Sequence, residues 1–258
     1  MNNTGMTIDL SGKTALVTGA TGELGRVMAR TLAGCGADVI IHYHVNLAKA
    51  EELVAEIRGL GSNCLAVPAD ITNMDAVIKL RDEAAAKLSA PAIVICNAVI
   101  QYQWTSVLEQ LPEDYESQFR SCVMQSVFLA KVFLPEMIGR KYGRFIGINT
   151  ECSMQNLPHQ SAYAAGKRGM DGVLRVLAKE VGEHGITVNQ VAPGWTISDR
   201  DRLAGTEANA EYEKNIPLRR RGTDQEVANA VAFLASDLAS YITGAYIPVC
   251  GGNVMPAI

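Results

Sequence analysis

The sequence lacks the features that mark membrane, secreted or nucleic-acid-binding proteins. Its 258 residues carry a formal net charge of −4, which argues against a general polyanion-binding surface. No run of about 18 or more apolar residues is present, so no segment is predicted to span a membrane. The first residues, Met1 to Thr7, lack the basic and apolar regions of a signal peptide.

Cysteine pairs at the short spacing of zinc and redox sites are also absent. The six cysteines are scattered along the chain, and none forms a CxxC pair. This distribution favours free thiols in a reducing cytoplasm over disulfides or zinc ligands. His42 and His44 would share one strand face, but no further Cys or His nearby completes a metal site. We expect a cytoplasmic protein without a bound metal.

The chain does have enough apolar residues for a large core, since 48% of its residues are hydrophobic. By length alone it could form one or two domains. Segments with strand and helix patterns alternate along it, and this repetition of α/β units favours one domain.

The segment Tyr163-Ala-Ala-Gly-Lys167 begins an amphipathic helical pattern that continues through Met170 and Leu174. Positions i and i+4 share one helix face, so Lys167 is predicted to lie beside the ring of Tyr163. An ammonium within about 4–6 Å favours the phenolate and lowers the phenol pKa from about 10 toward neutrality. The pair is therefore a candidate proton donor. A packed aromatic with a solvated lysine is the alternative for this spacing taken alone.

A strand pattern, a glycine-rich turn and a helical pattern follow one another near the N-terminus. The turn reads Gly19-Ala20-Thr21-Gly22-Glu23-Leu24-Gly25. Glycines let the backbone approach a pyrophosphate, and the start of a helix supplies free N–H groups. In this context the turn is typical of a dinucleotide-binding site.

Polar residues and tight turns also follow three later buried-strand patterns. They are Asn97-Ala98-Val99 after residues 92–96, Thr150 after residues 145–148, and Pro193-Gly194 with Thr196 after residues 186–189. Together with the glycine turn and the Tyr163–Lys167 pair, these motifs resemble those of the short-chain dehydrogenase/reductase family in its compact single-domain form. The match runs from about residue 10 to residue 252, nearly the whole chain.

The resemblance implies a doubly wound α/β fold, with about seven parallel strands in the order 3-2-1-4-5-6-7 and helices on both faces. Residues 1–258 would form one dinucleotide-binding Rossmann domain, with a substrate lid at about residues 195–221. The catalytic residues would be Thr150, Tyr163 and Lys167. Tyr163 would give a proton to the carbonyl oxygen, which the Thr150 hydroxyl orients, while Lys167 lowers the phenol pKa and holds the nicotinamide ribose.

The resemblance also implies a set of residues that hold the dinucleotide. These are Gly19, Thr21, Gly22, Glu23, Leu24, Gly25, Tyr43, His44, Asp70, Ile71, Asn97, Ala98, Val99, Tyr163, Lys167, Pro193, Gly194 and Thr196. No acid that could bind the ribose 2′-hydroxyl stands at the end of the second strand, where His44 replaces the arginine of NADP-using relatives. The pattern therefore favours NADP(H) over NAD(H).

Glu23 stands where this branch of the family has a glycine. One interpretation is a first-turn acid that complements the helix dipole, with its side chain turned to solvent. The other is a carboxylate that weakens or excludes the cofactor. Gly22 and Gly25 still free the turn, which favours the first.

Two valines replace family residues near the expected active site. Val99 stands for a glycine beside the cofactor ribose. Val123 stands for the catalytic asparagine, which in relatives holds a water linking the lysine to solvent. Valine forms no hydrogen bond, so we expect proton supply through Gln125 or a shifted water.

The resulting function is reversible hydride transfer between NAD(P)(H) and a carbonyl or secondary alcohol. The alternative is a catalytically impaired family member that acts as a dinucleotide-binding or scaffold protein. In 3-oxoacyl carrier-protein reductases the arginines that dock the acidic carrier would fall at Leu129 and His184. Their absence favours a small free alcohol, ketone or sugar. Residues 219–221 are three consecutive arginines. They could be a solvated run or an anion site, and both interpretations remain open.

The family resemblance also implies a homotetramer. Its main interface would involve two long helices, predicted over residues 115–139 and 162–184. These helices carry more apolar positions than one sheet-facing stripe requires. Examples are Val127, Leu129, Val132 and Phe133.

Overall fold

Seven parallel strands form one sheet in the structure, a computed structural model that describes residues 7–256. They are β1 Thr14–Val17, β2 Asp38–Tyr43, β3 Cys64–Pro68, β4 Ile93–Cys96, β5 Gly143–Ile148, β6 Ile186–Pro193 and β7 Tyr246–Val249. Their order across the sheet is β3-β2-β1-β4-β5-β6-β7, as predicted. The order reverses between β1 and β4, where a crevice forms at the carboxyl ends of the strands.

Ten α-helices connect the strands within the described residues. They are α1 Glu23–Gly34, α2 Leu47–Gly59, α3 Met74–Lys87, α4 Pro112–Gln118, α5 Gln125–Arg140, α6 Cys152–Gln155, α7 Ser161–Val181, α8 Asp199–Ala204, α9 Ala210–Glu213 and α10 Asp224–Ala235. A π-helix, Phe119–Met124, joins α4 to α5. The helix predicted over 162–184 ends its α-helical part at Val181 and continues as a 3₁₀ turn.

The sheet is buried on both faces, which explains the short, continuous apolar strands. In β1, Ala15 and Val17 face the core that α1, α2 and α10 cover, whereas Leu16 faces the core that α3, α5 and α7 cover. Successive strand residues alternate between faces, so each strand contributes to both cores. The helices on both faces confirm the predicted fold class.

The helical stretch Pro112–Arg140 combines α4, the π-helix and α5. By length and composition it is the one helix among residues 7–256 that could cross a membrane, but 56% of its most apolar window is buried inside the structure. Burial of this kind is the behaviour of a core helix. Residues 115–139 were predicted as one uninterrupted helix, and the π-helix accommodates an extra residue that regular α-helical geometry would not.

Candidate active site

A cavity of about 900 Å³ opens at the carboxyl ends of the central strands. Asn97 and Val99 line it just beyond β4, Thr150 lines it beyond β5, and Pro193 lines it at the end of β6. Lys167 reaches it from α7. The fold therefore gathers residues that lie far apart in the sequence into one site, as expected for the crevice of a doubly wound sheet.

The glycine turn beside this cavity has the shape of a phosphate cradle. Gly19 has a left-handed backbone (φ +60°), and a Cβ on Gly25 would lie 2.3 Å from the Gly19 carbonyl oxygen. Gly22 is the N-cap of α1 and supplies no side-chain cap. The first N–H groups of α1 therefore remain available to an anion. These residues fit the pyrophosphate of a dinucleotide.

Asn97 and Ala98 tie the glycine turn to β4. The backbone N–H groups of both residues donate to Oγ1 of Thr18, at 2.9 and 3.1 Å. Nδ2 of Asn97 donates to the carbonyl oxygens of Thr18 (2.9 Å) and Gly19 (3.2 Å). Asn97 thus joins neighbouring strands through its side chain, the role that the resemblance implied.

His42 holds the glycine turn from the other side, a role that sequence reasoning missed. The Gly19 N–H donates to Nδ1 of His42 (3.0 Å), and Nε2 of His42 lies 2.9 Å from the carbonyl oxygen of Ala69. Burial lowers the pKa of His42 to about 4, although the bond to Ala69 opposes the change. The imidazole is therefore neutral near neutral pH and accepts the turn's hydrogen bond. A histidine inside a buried strand pattern was the available signal.

The helix start at Tyr163 is anchored by the loop after β4. The Tyr163 N–H donates to the Tyr102 hydroxyl (2.7 Å), and the ring of Trp104 stacks on the Tyr163 ring with centroids 5.7 Å apart. Nζ of Lys167 donates to the carbonyl oxygen of Ile148 (2.6 Å) and lies 5.7 Å from the centroid of the Tyr163 ring. The phenol and the ammonium therefore share one wall of the cavity.

The pKa of Tyr163 differs from the sequence expectation. Burial raises it, the neighbouring thiols of Cys152 and Cys122 add to the rise, and the Thr150 hydroxyl opposes it. The Lys167 ammonium was expected to lower this pKa, but it is directed at the carbonyl oxygen of Ile148. Desolvation of the phenolate therefore outweighs its attraction to the ammonium. In this state the phenol carries its proton.

Thr150 is fixed through its backbone, which leaves its hydroxyl at the cavity. Its N–H donates to Oδ1 of Asn149 (2.9 Å), and its carbonyl oxygen accepts from the hydroxyls of Tyr246 (2.6 Å) and Ser153 (2.9 Å). Its Oγ1 accepts from the Cys152 N–H at 3.2 Å. The hydroxyl proton is thus still available to a substrate oxygen.

The expected proton relay through Gln125 is wrong. Oε1 of Gln125 accepts from the Thr18 hydroxyl (2.7 Å), and Nε2 donates to the carbonyl oxygens of Ala98 (2.8 Å) and Ser121. Its amide is fully used in joining the helix to the ends of β1 and β4. Val123 lies elsewhere, in contact with Gly169, where an added Cβ would be 2.7 Å from Cγ2 of Val123.

Gln118 is a buried amide that this helix places behind the cavity wall. It is fully buried, and its Nε2 donates to the carbonyl oxygen of Ile100 (2.7 Å), a residue of the cavity wall. Its backbone oxygen would lie 2.9 Å from a Cβ on Gly166, the neighbour of Lys167. Sequence reasoning missed Gln118 because its burial beside the carbonyl oxygen of Ile100 depends on tertiary packing.

Glu23 is not simply turned to solvent. Its Oε2 accepts from Arg26 (2.7 Å) and from the backbone N–H of Asp199 (2.9 Å), and the Asp199 carboxylate also contacts Arg26. The carboxylate is therefore paired with a guanidinium and connects the cofactor turn to the start of α8.

Segment 195–221 supplies part of the cavity wall, and Arg221 holds it together. The buried Arg221 guanidinium donates to the carbonyl oxygens of Trp195 (3.2 Å) and Thr196 (2.9 Å) and to Oδ2 of Asp201 (3.0 Å). Arg220 pairs with Glu226 instead. Arg220 and Arg221 are therefore structural residues and do not form an anion site, whereas Arg219 is exposed and donates to the carbonyl oxygen of Lys214.

Glu151, the residue after Thr150, also contacts this segment. Its Oε1 accepts from the Tyr212 hydroxyl (2.8 Å), and its Oε2 accepts from Nδ2 of Asn253 (2.9 Å). The Tyr212 hydroxyl in turn accepts from the Trp195 N–H at 2.9 Å. Burial raises the pKa of Glu151, and the bonds from Asn253 and Tyr212 oppose the change.

Several residues expected to hold the adenine end of the cofactor lie outside the cavity. Tyr43 is buried at the end of β2, and Ile71 is buried in the turn between β3 and α3. His44 is exposed, and Asp70 accepts hydrogen bonds from Thr72. Thr21 borders a separate small cavity beside α1 and α2. Contact of these residues with an adenosine remains a prediction.

Metal ligands are not grouped anywhere in the part of the chain that the structure describes: no cluster of three or more His, Cys, Asp or Glu could hold an ion. All six cysteines are free, and four of them, Cys64, Cys96, Cys122 and Cys250, are buried.

Comparisons with known proteins agree with this geometry. A family model described as enoyl-(acyl carrier protein) reductase matches residues 19–253. The 3-oxoacyl-[acyl-carrier-protein] reductase FabG of Staphylococcus epidermidis is 35% identical over 245 residues, which are 94% of this chain and 99% of that protein. A 3-oxoacyl-[acyl-carrier-protein] reductase of Synechocystis sp. is 36% identical over 248 residues, covering 95% of this chain and 98% of that protein.

A solved structure is similar over nearly its whole length. It is described as the promiscuous reductase LugOII, which catalyses keto-reduction at C1 during lugdunomycin biosynthesis. The TM-score is 0.87 and the sequence identity 29%, with 95% of this chain and 99% of that chain covered. The chain belongs to the short-chain dehydrogenase/reductase family, and it is an oxidoreductase of the NAD(P)-dependent kind.

Proposed function

We propose that the protein reduces a carbonyl group on a small free molecule to an alcohol, with NADPH as the hydride source. The observation that carries the proposal is the grouping of Thr150, Tyr163 and Lys167 on one cavity beside the glycine turn. Family membership supports a nicotinamide dinucleotide, and the lack of an acid after β2 favours NADP(H) over NAD(H).

In this reaction a bound NADPH would supply the hydride that forms the new C–H bond on the carbonyl carbon. Tyr163 gives its proton to the carbonyl oxygen, which the hydroxyl of Thr150 orients. The raised pKa of Tyr163 keeps that proton in place before reaction. Lys167, 5.7 Å from the centroid of the phenol ring, stabilises the phenolate that is left. Segment 195–221 acts as the lid.

A small substrate is favoured over one carried on an acidic protein. The resemblance placed one docking arginine of 3-oxoacyl carrier-protein reductases at Leu129, but this position is fully buried and could not reach a carrier protein. The other position holds His184. Neither residue offers a permanent surface cation. The chain's net charge of −4 adds repulsion for an acidic carrier.

The impaired-enzyme alternative depended on Glu23, Val99 and Val123. Arg26 pairs with the Glu23 carboxylate, and the Asp199 N–H donates to the same carboxylate. These contacts support turnover. Val99 still adds bulk to the cavity wall.

The test measures NADPH binding and carbonyl reduction separately. Calorimetry with NAD, NADH, NADP and NADPH should give the tightest binding for NADPH. A panel of small ketones should then consume NADPH, and Tyr163→Phe should stop that consumption. Binding without turnover on any ketone or on a carrier-bound 3-oxoacyl group would favour the dinucleotide-binding alternative.

A further inference from the structure

Both tryptophans of the sequence line the active-site cavity, and both are unusually exposed. Trp104 is 43% exposed and Trp195 is 50% exposed. A tryptophan normally buries most of its large apolar surface, so two half-exposed rings in one cavity indicate a ligand surface. We propose that the substrate is a ketone on a planar aromatic ring system, which packs against Trp104 and Trp195. This proposal rests on the carbonyl reduction proposed above.

Trp104 is held in place by contacts of its neighbours. The buried Gln110 accepts from the Thr105 N–H (2.9 Å) through Oε1 and donates to the carbonyl oxygen of Gln103 (3.0 Å) through Nε2. One amide thus fixes the backbone on both sides of Trp104. The indole itself stacks on the catalytic Tyr163 ring at an interplanar angle of 28°. It extends the flat surface of the phenol away from the site of proton transfer.

Trp195 is held as firmly in segment 195–221. The backbone N–H of Trp195 donates to the Tyr212 hydroxyl (2.9 Å), and its backbone carbonyl oxygen accepts from Arg221 (3.2 Å). The Tyr212 ring meets the indole edge-on at 5.5 Å, and the Arg221 guanidinium lies 4.8 Å from the indole centroid. A ring fixed on these sides costs little further ordering when an aromatic ligand packs against it.

The rest of the wall favours an aromatic ring over a sugar. Ile100 is 44% exposed and Leu157 is 51% exposed, and both line the cavity. Glu151 would be the natural acceptor for sugar hydroxyls, but each of its oxygens already accepts a bond from the protein, from Tyr212 or Asn253. The surface offered to a substrate is therefore mainly apolar.

One polar group of the wall points to a substituent on the ring. Oε1 of Gln160 is buried and has no hydrogen-bond partner among the described residues, although Gln160 lines the cavity. An unpaired buried acceptor is costly, and a turn of the Gln160 side chain toward the cavity would let a ligand donor relieve that cost. A ring hydroxyl has the required donor, so hydroxylated aromatic ketones are the favoured subclass.

The experiment compares two ketones with the same bicyclic carbon skeleton, aromatic 2-tetralone and saturated 2-decalone. The wild-type protein should show kcat/KM about tenfold higher for 2-tetralone, since each aromatic pair adds a modest favourable energy. Trp104→Leu and Trp195→Leu should each reduce this ratio. The conservative changes Trp104→Phe and Trp195→Phe should largely keep it.

Equal kcat/KM for the two ketones in the wild-type protein would overturn the aromatic proposal while leaving carbonyl reduction intact. An equal loss of activity on the two ketones in Trp104→Leu and Trp195→Leu would also overturn the aromatic proposal. Binding gives a readout without turnover: 2-naphthol should quench tryptophan fluorescence saturably, and saturated 2-decalol should not. Gln160→Leu should weaken 2-naphthol binding more than naphthalene binding. No saturable quenching by 2-naphthol would contradict the proposal even if no ketone is reduced.

Discussion

The backbone N–H of Asp199 donates a 2.9 Å hydrogen bond to the Glu23 carboxylate across 176 positions of the chain. Through this bond the first turn of α1, where a pyrophosphate would bind, contacts the start of α8, within the segment predicted to act as a lid. Arg26 contacts both carboxylates and neutralises part of their charge.

Glu23→Gly should therefore leave NADPH affinity unchanged or lower it, because the carboxylate is already paired with Arg26. It should also loosen the lid, so that protease cleaves near residues 199–209 faster. The exposed Glu23–Arg26 ion pair contributes at most about 1 kcal/mol to the free energy of unfolding, so global stability should change little. Calorimetry and limited proteolysis test this, with Glu113→Gly in the first turn of α4 as the control. Clearly tighter NADPH binding would show instead that the carboxylate opposes the cofactor.

Tyr163→Phe should reduce turnover by about 10²–10⁴-fold, since a general acid typically contributes that much. The ring still stacks on Trp104 and the N–H still bonds Tyr102, so NADPH affinity and folding should be kept. Lys167→Ala should lower both turnover and affinity. Steady-state rates and calorimetry separate the two effects. Wild-type turnover in Tyr163→Phe would refute the mechanism.

The raised pKa of Tyr163 predicts a flat pH profile for reduction. The protonated phenol is the active form, so the rate should not fall as pH rises from about 6 to 9, below the usual phenol pKa of about 10. The rate of carbonyl reduction at saturating NADPH measures this. A fall in rate centred near neutrality would mean that Lys167 lowers this pKa in the bound state, as first expected from the sequence.

Gln118→Ala should lower kcat and shift its pH profile, because the buried amide positions the wall beside Gly166 and Lys167. Gln118→Asn should restore part of the loss. Val123→Asn should give no gain, since that side chain packs against Gly169, and it should lower the free energy of unfolding by burying an amide. A rate increase in Val123→Asn would locate the relay at residue 123 after all.

His42 should make the protein less stable in mild acid. Its pKa in the folded state is about 4, below the ordinary value of 6.5, so between these values the unfolded chain binds the extra proton. The free energy of unfolding should fall as pH drops through this window, by at most about 3 kcal/mol from this group. Urea midpoints at several pH values measure it. His42→Asn should flatten the dependence, whereas the exposed His44→Asn should not.

The homotetramer remains a prediction, but its sequence argument needs revision. Leu129, Val132 and Phe133 are buried within the protein itself and cannot form an interface. The exposed apolar residues of these helices are Phe119 (53%) and Val176 (57%). Phe119→Asp with Val176→Asp should therefore shift a tetramer toward smaller species in light scattering. A wild-type monomer at micromolar concentration would contradict the assembly.

Strand order and the grouping of Thr150, Tyr163 and Lys167 could be predicted because the motifs resemble those of the short-chain dehydrogenase/reductase family, whose fold brings these positions together. The contacts of Arg221 could not, since three like charges in a row give no sign of which one folds inward. His42 was missed for a related reason. Its role depends on the neighbouring turn bringing a free N–H to Nδ1, and that distance is set by tertiary packing.

The π-helix also affects how relatives of this protein should be compared. An extra residue held inside a helix leaves no visible gap in a loop, so an alignment without gaps runs through it unnoticed. Beyond that point, each residue of the helix is matched to a position in the relatives that is one residue away from its true counterpart. A chain of this kind can be set aside as a pseudoenzyme when a residue near the π-helix is matched to the wrong position of its relatives. Comparing the two halves of the helix separately would return such chains to the set worth assaying.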